Sequence, residues 1–178
     1  MIRFIIAASL LLLSASTIAA PDDFTKGPVF KEYGENAPIK NALLDPASQR
    51  FKVVFDISEQ NQSGGVNRQF NSVARFINMH VRAGVAEENI DVAMVVHGKA
   101  SFDLMNDKAH ETKFEEPNIN TELINLLSKF GVKVFICGQS ASYHGLSLDK
   151  LNTHVEMSLS AMTANALLQQ RGYTLNPF

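Results

Sequence analysis

The residue with the clearest chemical potential in this sequence is Cys137, the single cysteine of the chain. It follows the apolar run at 134–136 and precedes Gly138, Gln139 and Ser140, a polar turn that we expect to open a short helix. Partial positive charge at a helix N-terminus stabilises a thiolate and lowers the pKa of a cysteine below its usual value of about 8.5. The pattern therefore indicates a nucleophilic thiol. The alternative is a buried cysteine that only packs as a small apolar side chain.

His97 and Gly98 occupy a similar place, directly after another apolar run. An imidazole there could donate a hydrogen bond to a ligand or, when protonated, favour a neighbouring thiolate. The alternative interpretation is a histidine that only fixes the turn before Gly98. The other histidines are not spaced as metal ligands, so the sequence predicts no metal site and no cofactor.

Two further segments match known motifs only in part. Residues 138–142 lack the closing glycine of the G-x-S-x-G turn, and Asp149 and His154 follow too closely for the usual serine hydrolase triad. Residues 63–65 could present backbone amides to a phosphate, but they complete neither glycine-rich nucleotide motif and no lysine follows in the loop. Serine hydrolysis is therefore disfavoured, and nucleotide binding remains a minor alternative.

The composition is that of one globular domain: 178 residues, of which 46% are hydrophobic and 19% are charged. Sixteen basic and 18 acidic side chains give a net charge of −2. The chain therefore has no overall basic field that would hold nucleic acid or an acidic membrane surface. With one cysteine it can form neither an intrachain disulfide nor a multi-thiolate metal site.

Apolar runs and amphipathic stretches alternate from residue 51 onward, which is typical of an α/β fold with a parallel sheet covered by helices on both faces. The predicted strands lie at 51–57, 90–96, 132–136, 155–159 and 173–178. The predicted helices lie at 66–81, 123–130 and 161–171, with a shorter helix that begins at 102–105 and leads into the polar stretch 106–116. Asn118 or Asn120 is the expected N-cap of the helix at 123–130, and Gly131 is its C-terminal residue. Ligands of such sheets bind at the carboxyl ends of the strands, where His97 and Cys137 lie.

The N-terminus predicts export. Arg3, an apolar run at 4–13 and the small residues Ala19 and Ala20 are typical of a signal peptide at residues 1–20. A retained membrane anchor is the alternative, but a spanning helix needs roughly 20 apolar residues. We therefore expect an exported, periplasmic protein without a membrane span after signal removal. Residues 21–50 hold four of the six prolines and predict an extended arm before a domain at 51–178.

Several segments together resemble the DsrE/DsrF-like family. They are Val95-Val96-His97-Gly98, Pro117-Asn118, residues 131–140 and the tail at 159–178. The resemblance implies a three-layer α/β/α fold with a mostly parallel sheet, usually in a homo-oligomer. It also implies that a cysteine at the position of Cys137 can carry sulfur as a persulfide. The residues that would line or shape the pocket around this thiol are His97, Gly98, Asn118, Gly138, Gln139 and Ser140.

The first hypothesis is accordingly an exported sulfur-relay protein or sulfane-sulfur carrier that uses one thiolate. Its partners would be a sulfur donor or acceptor protein, or a small polysulfide. Because the chain holds no second cysteine, a dithiol mechanism within one subunit is disfavoured. The alternatives are a noncatalytic module that binds a small ligand, and an assembly module whose arm at 21–50 contacts a neighbouring subunit.

Overall fold

The computed structural model describes residues 23–40, 44–61 and 64–176. The predicted signal peptide at 1–20, and Pro177 and Phe178 at the end of the family-like tail, lie outside the described residues. Over the described residues, no helix is both long enough and apolar enough to cross a membrane.

In the part of the chain that the structure describes, five parallel strands form one sheet, in the order β4-β3-β2-β1-β5. Their bounds are Phe51–Ile57 for β1, Ile90–Val96 for β2, Lys133–Cys137 for β3, Val155–Ser158 for β4 and Thr174–Asn176 for β5. The predicted α/β class and strand number are confirmed. The first two strands have the predicted bounds, and the others differ by one residue or a few at their ends.

Five α-helices of the described residues connect or cover the strands. They are Arg68–Arg82 (α1), Asp107–Phe114 (α2), Thr121–Phe130 (α3), Gly138–His144 (α4) and Ala161–Gln170 (α5). Side chains of α1, α3 and α4 join the larger core on one face of the sheet. Ala161, Ala164 and Leu168 of α5 pack with Val54, Ala93 and Cys137 on the other face. The two helical layers confirm the predicted α/β/α architecture.

The crossovers create a topological switch between β3 and β4. The helix after β3, α4, lies on the face of the larger core, whereas the helix after β4, α5, lies on the opposite face. Two chain segments therefore continue to opposite faces of the sheet from the carboxyl ends of these neighbouring strands. Open α/β sheets place their ligand sites at such switch points.

The sequence misplaced the helices between β2 and β3. The short helix predicted to begin at 102–105 is a 3₁₀ helix, Gly98–Leu104, and α2 lies in the polar stretch 106–116. Capping explains α2 better than amphipathicity does, because the side chain of Asn106 accepts from the amide of Ala109 at 2.9 Å. The ring of Phe114 also packs on Phe102, with centroids 5.5 Å apart.

α3 starts after Asn120, one of the two predicted N-cap residues, but the predicted capping hydrogen bond is not formed. Asn120 is the N-cap residue, yet its side chain makes no cap hydrogen bond and instead accepts from the amide of Asn67 at 2.7 Å. Asn118 accepts from the amide of Asn120 at 3.0 Å. Gly131 ends α3 with a left-handed φ of 112°, as the sequence predicted.

The described part of the N-terminal arm packs on α1 of the same chain. The side chain of Asn78, which is fully buried on α1, accepts from the amides of Val29 and Phe30 at 3.0 and 2.9 Å. Phe30 itself belongs to the larger core. The arm therefore lies on the α1 side of the sheet, and Cys137 lies on the α5 side.

Candidate thiolate site

Cys137 is the last residue of β3 and the N-cap of α4. Its Sγ accepts a hydrogen bond from the amide of Ser140 at 3.4 Å, the geometry of a side-chain cap. The residue is only 6% exposed. The polar turn after the apolar run therefore opens a short helix, as the sequence predicted, and the cysteine occupies the helix N-terminus.

Gly138 allows the β4–α5 connection to approach the thiol. A Cβ at this position would lie 2.6 Å from the carbonyl oxygen of Ser158 and 3.2 Å from that of Leu159. Because both neighbours are backbone atoms, a side chain here would force the two segments apart. The close approach brings Ala161, the first residue of α5, within hydrogen-bonding reach of Cys137.

Opposing effects act on the ionisation of Cys137. Burial raises the pKa of the thiol, but hydrogen bonds from the Ser140 hydroxyl and from nearby backbone amides outweigh it. These amides belong to Ser140, Ala161 and Gln139. The net result is a pKa below the usual cysteine value, so a larger share of the residue is thiolate near neutral pH.

The Ser140 hydroxyl is held in place by Gly98. The amide of Gly98 donates to Ser140 Oγ at 3.0 Å, which leaves the hydroxyl proton free to point at the sulfur of Cys137. Gly98 has a left-handed φ of +55°, and a Cβ there would lie 3.1 Å from the carbonyl oxygen of Ser58. The first residue of the 3₁₀ helix after β2 thus orients a donor on α4.

His97 lies on the same face of the sheet as Cys137. Its backbone is extended, with φ −148° and ψ −174°, so its side chain continues the alternation that places Val95 against α5. The imidazole Nε2 lies 3.3 Å from Oδ2 of Asp56 on β1. Oδ1 of the same carboxylate accepts from Nδ2 of Asn165 on α5 at 2.7 Å.

The remaining predicted site residues differ in their placement. Gln139 lies at the mouth of the site, where its side-chain amide donates to the carbonyl of Leu159 at 3.2 Å. Asn118 is 4% exposed, and its amide donates to the carbonyls of Asp103 and Met105. The structure therefore brings His97, Gly98, Gly138, Gln139 and Ser140 to the thiol. Within the described ranges, Asn118 has its hydrogen-bond partners in a separate polar cluster.

Sequence reasoning missed Asp56, Asn165 and Ala161. An acidic residue within an apolar strand was a usable signal for Asp56, because carboxylates are rarely buried without a partner. Asn165 lies on α5, and its contact with Asp56 on β1 forms only in the tertiary fold. Ala161 contributes a backbone amide, which no side-chain pattern can indicate.

The arrangement can support nucleophilic chemistry at sulfur. A thiolate stabilised by four donors can attack an electrophilic atom, and the same donors can receive the negative charge when the bond breaks again. Over the ranges 23–40, 44–61 and 64–176, no group of three or more histidine, cysteine, aspartate and glutamate side chains is arranged to hold a metal ion.

Comparisons with known proteins bear on family and fold. The sequence model of the DsrE/DsrF-like family matches residues 52–177. No curated protein matches the chain. Among solved structures, it is similar to MTH1491, a protein of unknown function from Methanobacterium thermoautotrophicum, with 20% identity, a TM-score of 0.51, and 72% of this chain and 99% of that chain covered. The ychN protein from E. coli aligns at 18% identity with a TM-score of 0.49, covering 72% of this chain and 100% of that chain. The likeness to MTH1491 shows the fold alone.

Proposed function

The chain belongs to the DsrE/DsrF-like family, and from this premise we propose that it carries sulfane sulfur as a persulfide on Cys137. Family membership supports a sulfur-relay role at the level of the family. The observation that carries the proposal for this chain is the surroundings of its one cysteine. Donors from the first turn of α4 and from the first residue of α5 meet at Sγ, and they lower the pKa of the thiol despite its burial.

In the loading step, the Cys137 thiolate attacks the outer sulfur of a persulfide, R–S–SH. A new S–S bond forms on Cys137, the S–S bond of the donor breaks, and the donor leaves as the thiolate R–S⁻. In the delivery step, an acceptor thiolate attacks the outer sulfur of the Cys137 persulfide and Cys137 leaves as a thiolate. No electrons are gained or lost overall, so neither step needs an added oxidant.

The amide and hydroxyl donors suit both steps. They stabilise the thiolate before attack and receive it again when the persulfide is discharged. The single cysteine also suits a carrier, because no second thiol in the same chain can resolve the persulfide into an intrachain disulfide.

A two-step transfer assay tests this function. The purified protein is exposed to glutathione persulfide, separated from it, and mixed with an acceptor thiol while bound sulfur is followed by mass spectrometry. We expect the protein to bind and deliver sulfur and the Cys137→Ser variant to do neither. Ser142→Ala, a change at an exposed position on α4, serves as the matched control and should behave as the unaltered protein. Equal sulfur loading of the Cys137→Ser variant would disprove the proposal and leave the noncatalytic ligand-binding module as the better account.

We also propose that the protein is exported to the periplasm. The support is the sequence pattern at residues 1–20, in which Arg3 precedes an apolar run and small residues. N-terminal sequencing of the protein from a periplasmic fraction tests the proposal. Cleavage after Ala19 is the expected result, and a chain that retains Met1 in the cytoplasmic fraction would contradict it.

We further propose a homo-oligomer. Large apolar side chains are exposed on α4, directly after β4 and at the start of α5, namely Tyr143, Leu159 and Met162. Monomeric proteins rarely leave such a group in water, and a second copy could cover it. Light scattering of the protein and of a Met162→Asp variant tests this. We expect the variant to have the smaller mass, and a monomeric mass for both proteins would contradict the proposal.

A further inference from the structure

We propose that His97 exchanges the proton of the sulfur donor and acceptor thiols, and that Asp56 and Asn165 hold its imidazole in place for this task. The inference rests on the proposed sulfur transfer and names the groups that would handle its protons. It follows from a chain of contacts that begins at His97, next to Cys137 after the end of β2, and runs through Asp56 on β1 to Asn165 on α5.

Strand register places His97 next to Cys137. Val96 on β2 pairs with Ile136 on β3. His97 directly follows Val96 at the end of β2, and Cys137 directly follows Ile136 as the last residue of β3. The extended backbone of His97 continues the strand, so the two residues lie side by side at about the 4.8 Å spacing of paired strands. Both side chains belong to the face covered by α5.

One contact holds the imidazole of His97, and a second contact holds the carboxylate that the imidazole meets. Its Nε2 lies 3.3 Å from Asp56 Oδ2, and Asp56 Oδ1 accepts from Asn165 Nδ2 at 2.7 Å. The Asp56 carboxylate is thereby held between His97, which follows β2, and Asn165 on α5. The His97 and Asp56 side chains remain 30% and 35% exposed, so the ring can meet a substrate that reaches Cys137.

Proton balance gives His97 a role in both half-reactions. During loading, the donor leaves as R–S⁻, and the imidazolium of His97 can transfer a proton to it and become neutral. During delivery, the neutral ring can take the proton of the acceptor thiol, which generates the attacking thiolate and restores the imidazolium. One group thus returns to its starting state after each cycle.

The carboxylate defines which ring nitrogen takes part. When Nε2–H donates to Asp56, Nδ1 is the nitrogen left to exchange a proton with the substrate. Asn165 donates from Nδ2, which fixes the orientation of its amide, and its Oδ1 is buried without a hydrogen-bond partner among the described residues. Asp56 and Asn165 act through His97 and are therefore positioning residues.

Single-turnover transfer from glutathione persulfide, measured beside Cys137 alkylation by iodoacetamide, tests the inference. We expect His97→Ala to slow sulfur transfer about 100-fold, and added imidazole to restore part of the rate. Asp56→Asn should slow transfer about tenfold, and Asn165→Ala about threefold. Alkylation should change by less than about twofold, because the hydroxyl and amide donors that hold the thiolate are intact. His154→Ala removes an imidazole in an exposed turn and is the matched control.

Three results would overturn the inference. One is sulfur transfer by His97→Ala at the unaltered rate. Another is slowed transfer that imidazole does not restore and that alkylation follows in parallel, since that pattern indicates a disturbed site. The last is failure of the unaltered protein to take sulfur from the persulfide. That result would refute the proposed function itself, and measurement of the unaltered protein alone distinguishes it from a failure of the His97 inference.

Discussion

At the scale of single residues, the reactivity of Cys137 depends on a balance between burial and hydrogen bonding. Burial favours the neutral thiol, and the donors around Sγ favour the thiolate. The Ser140 side chain is the largest of the contributions that lower the pKa. Removing one donor should therefore change the chemistry without removing the nucleophile.

The variant Ser140→Ala tests that balance. It deletes the hydroxyl that donates to Sγ and keeps the backbone amide of residue 140, so the pKa of Cys137 should rise. The pH profile of the iodoacetamide rate should then move to higher pH, with slower alkylation near neutral pH. Ser142→Ala, on the same helix, should leave the profile unchanged. An unshifted profile for Ser140→Ala would show that the hydroxyl does not stabilise the thiolate.

The sequence allowed the nucleophile to be predicted more readily than its surroundings. Cys137, Ser140 and Gly98 follow apolar runs, and the carboxyl ends of parallel strands meet at one edge. The amide of Ala161 comes from a helix that the chain reaches 24 positions later, and its arrival depends on the close approach at Gly138. The family resemblance implied that Asn118 lines the pocket, yet its buried amide donates to the backbone carbonyls of Asp103 and Met105.

At the scale of elements, the thiolate site requires the β4–α5 connection to lie against the start of α4. Gly138→Ala would place a methyl group 2.6 Å from the Ser158 carbonyl oxygen. We expect a loss of about 1–3 kcal/mol in the free energy of unfolding and slower alkylation of Cys137, since the amide of Ala161 must retreat. Urea unfolding and iodoacetamide rates measure both effects.

The control for that change is Gly65→Ala. Among the described residues, an added Cβ there meets the side chain of Asn61 alone, at 3.4 Å. It should leave both the unfolding free energy and the alkylation rate near those of the unaltered protein. A Gly138→Ala variant with unaltered stability and reactivity would mean that the two segments can separate without consequence for the thiol.

A buried carboxylate joins the 3₁₀ helix Gly98–Leu104 to the start of α1. Asp103 is 3% exposed, and its Oδ2 accepts from Nδ2 of Asn67 at 2.6 Å. Burial raises the pKa of Asp103 above the usual 3.8, and hydrogen bonds led by that of Asn67 offset this only in part. Its ionised form is therefore costly to the folded state at neutral pH.

The sign of the resulting pH dependence follows from linkage. Between pH 3.8 and the raised pKa, the folded chain binds more protons at Asp103 than the unfolded chain does, so acidification through this window favours folding. As the pH falls from 7 to about 4, the free energy of unfolding of the unaltered protein should rise relative to that of Asp103→Asn. Urea unfolding at several pH values measures this difference. A difference that is constant with pH would contradict the raised pKa.

Predictions of elements succeeded where local patterns agree with the tertiary fold. β1 and β2 are mostly apolar and largely buried, and their bounds were predicted correctly. α2 was missed because its only buried residue is His110, so it has no apolar stripe to recognise. Its stability comes from the Asn106 cap and from the contact between Phe102 and Phe114, and the latter depends on the folded chain.

At the scale of the whole molecule, the sheet separates the N-terminal arm from the reactive thiol. The arm is fixed on the α1 side, and the thiol lies on the α5 side. Asn78 secures the arm through hydrogen bonds to the backbone of Val29, Phe30 and Tyr33. The stability of the arm and the chemistry of Cys137 should therefore vary independently.

The variant Asn78→Ala tests this separation. Loss of the buried amide leaves several backbone groups of the arm without partners, and we expect a destabilisation of about 2–4 kcal/mol together with faster proteolysis of residues 23–40. Asn71→Ala, which removes only the bond to the amide of Gly34, should cost less. The alkylation rate of Cys137 should be unaltered in both variants. A slower rate in Asn78→Ala would show that the arm does support the site.

The central claim, that Cys137 carries sulfane sulfur, is tested most directly by intact mass. The purified protein is exposed briefly to inorganic polysulfide and weighed before and after treatment with a thiol reductant, beside the Cys137→Ser variant. The account predicts a gain of one or more sulfur atoms that the reductant removes and that the variant never shows. An unchanged mass of the unaltered protein, or an equal gain in the variant, would contradict it.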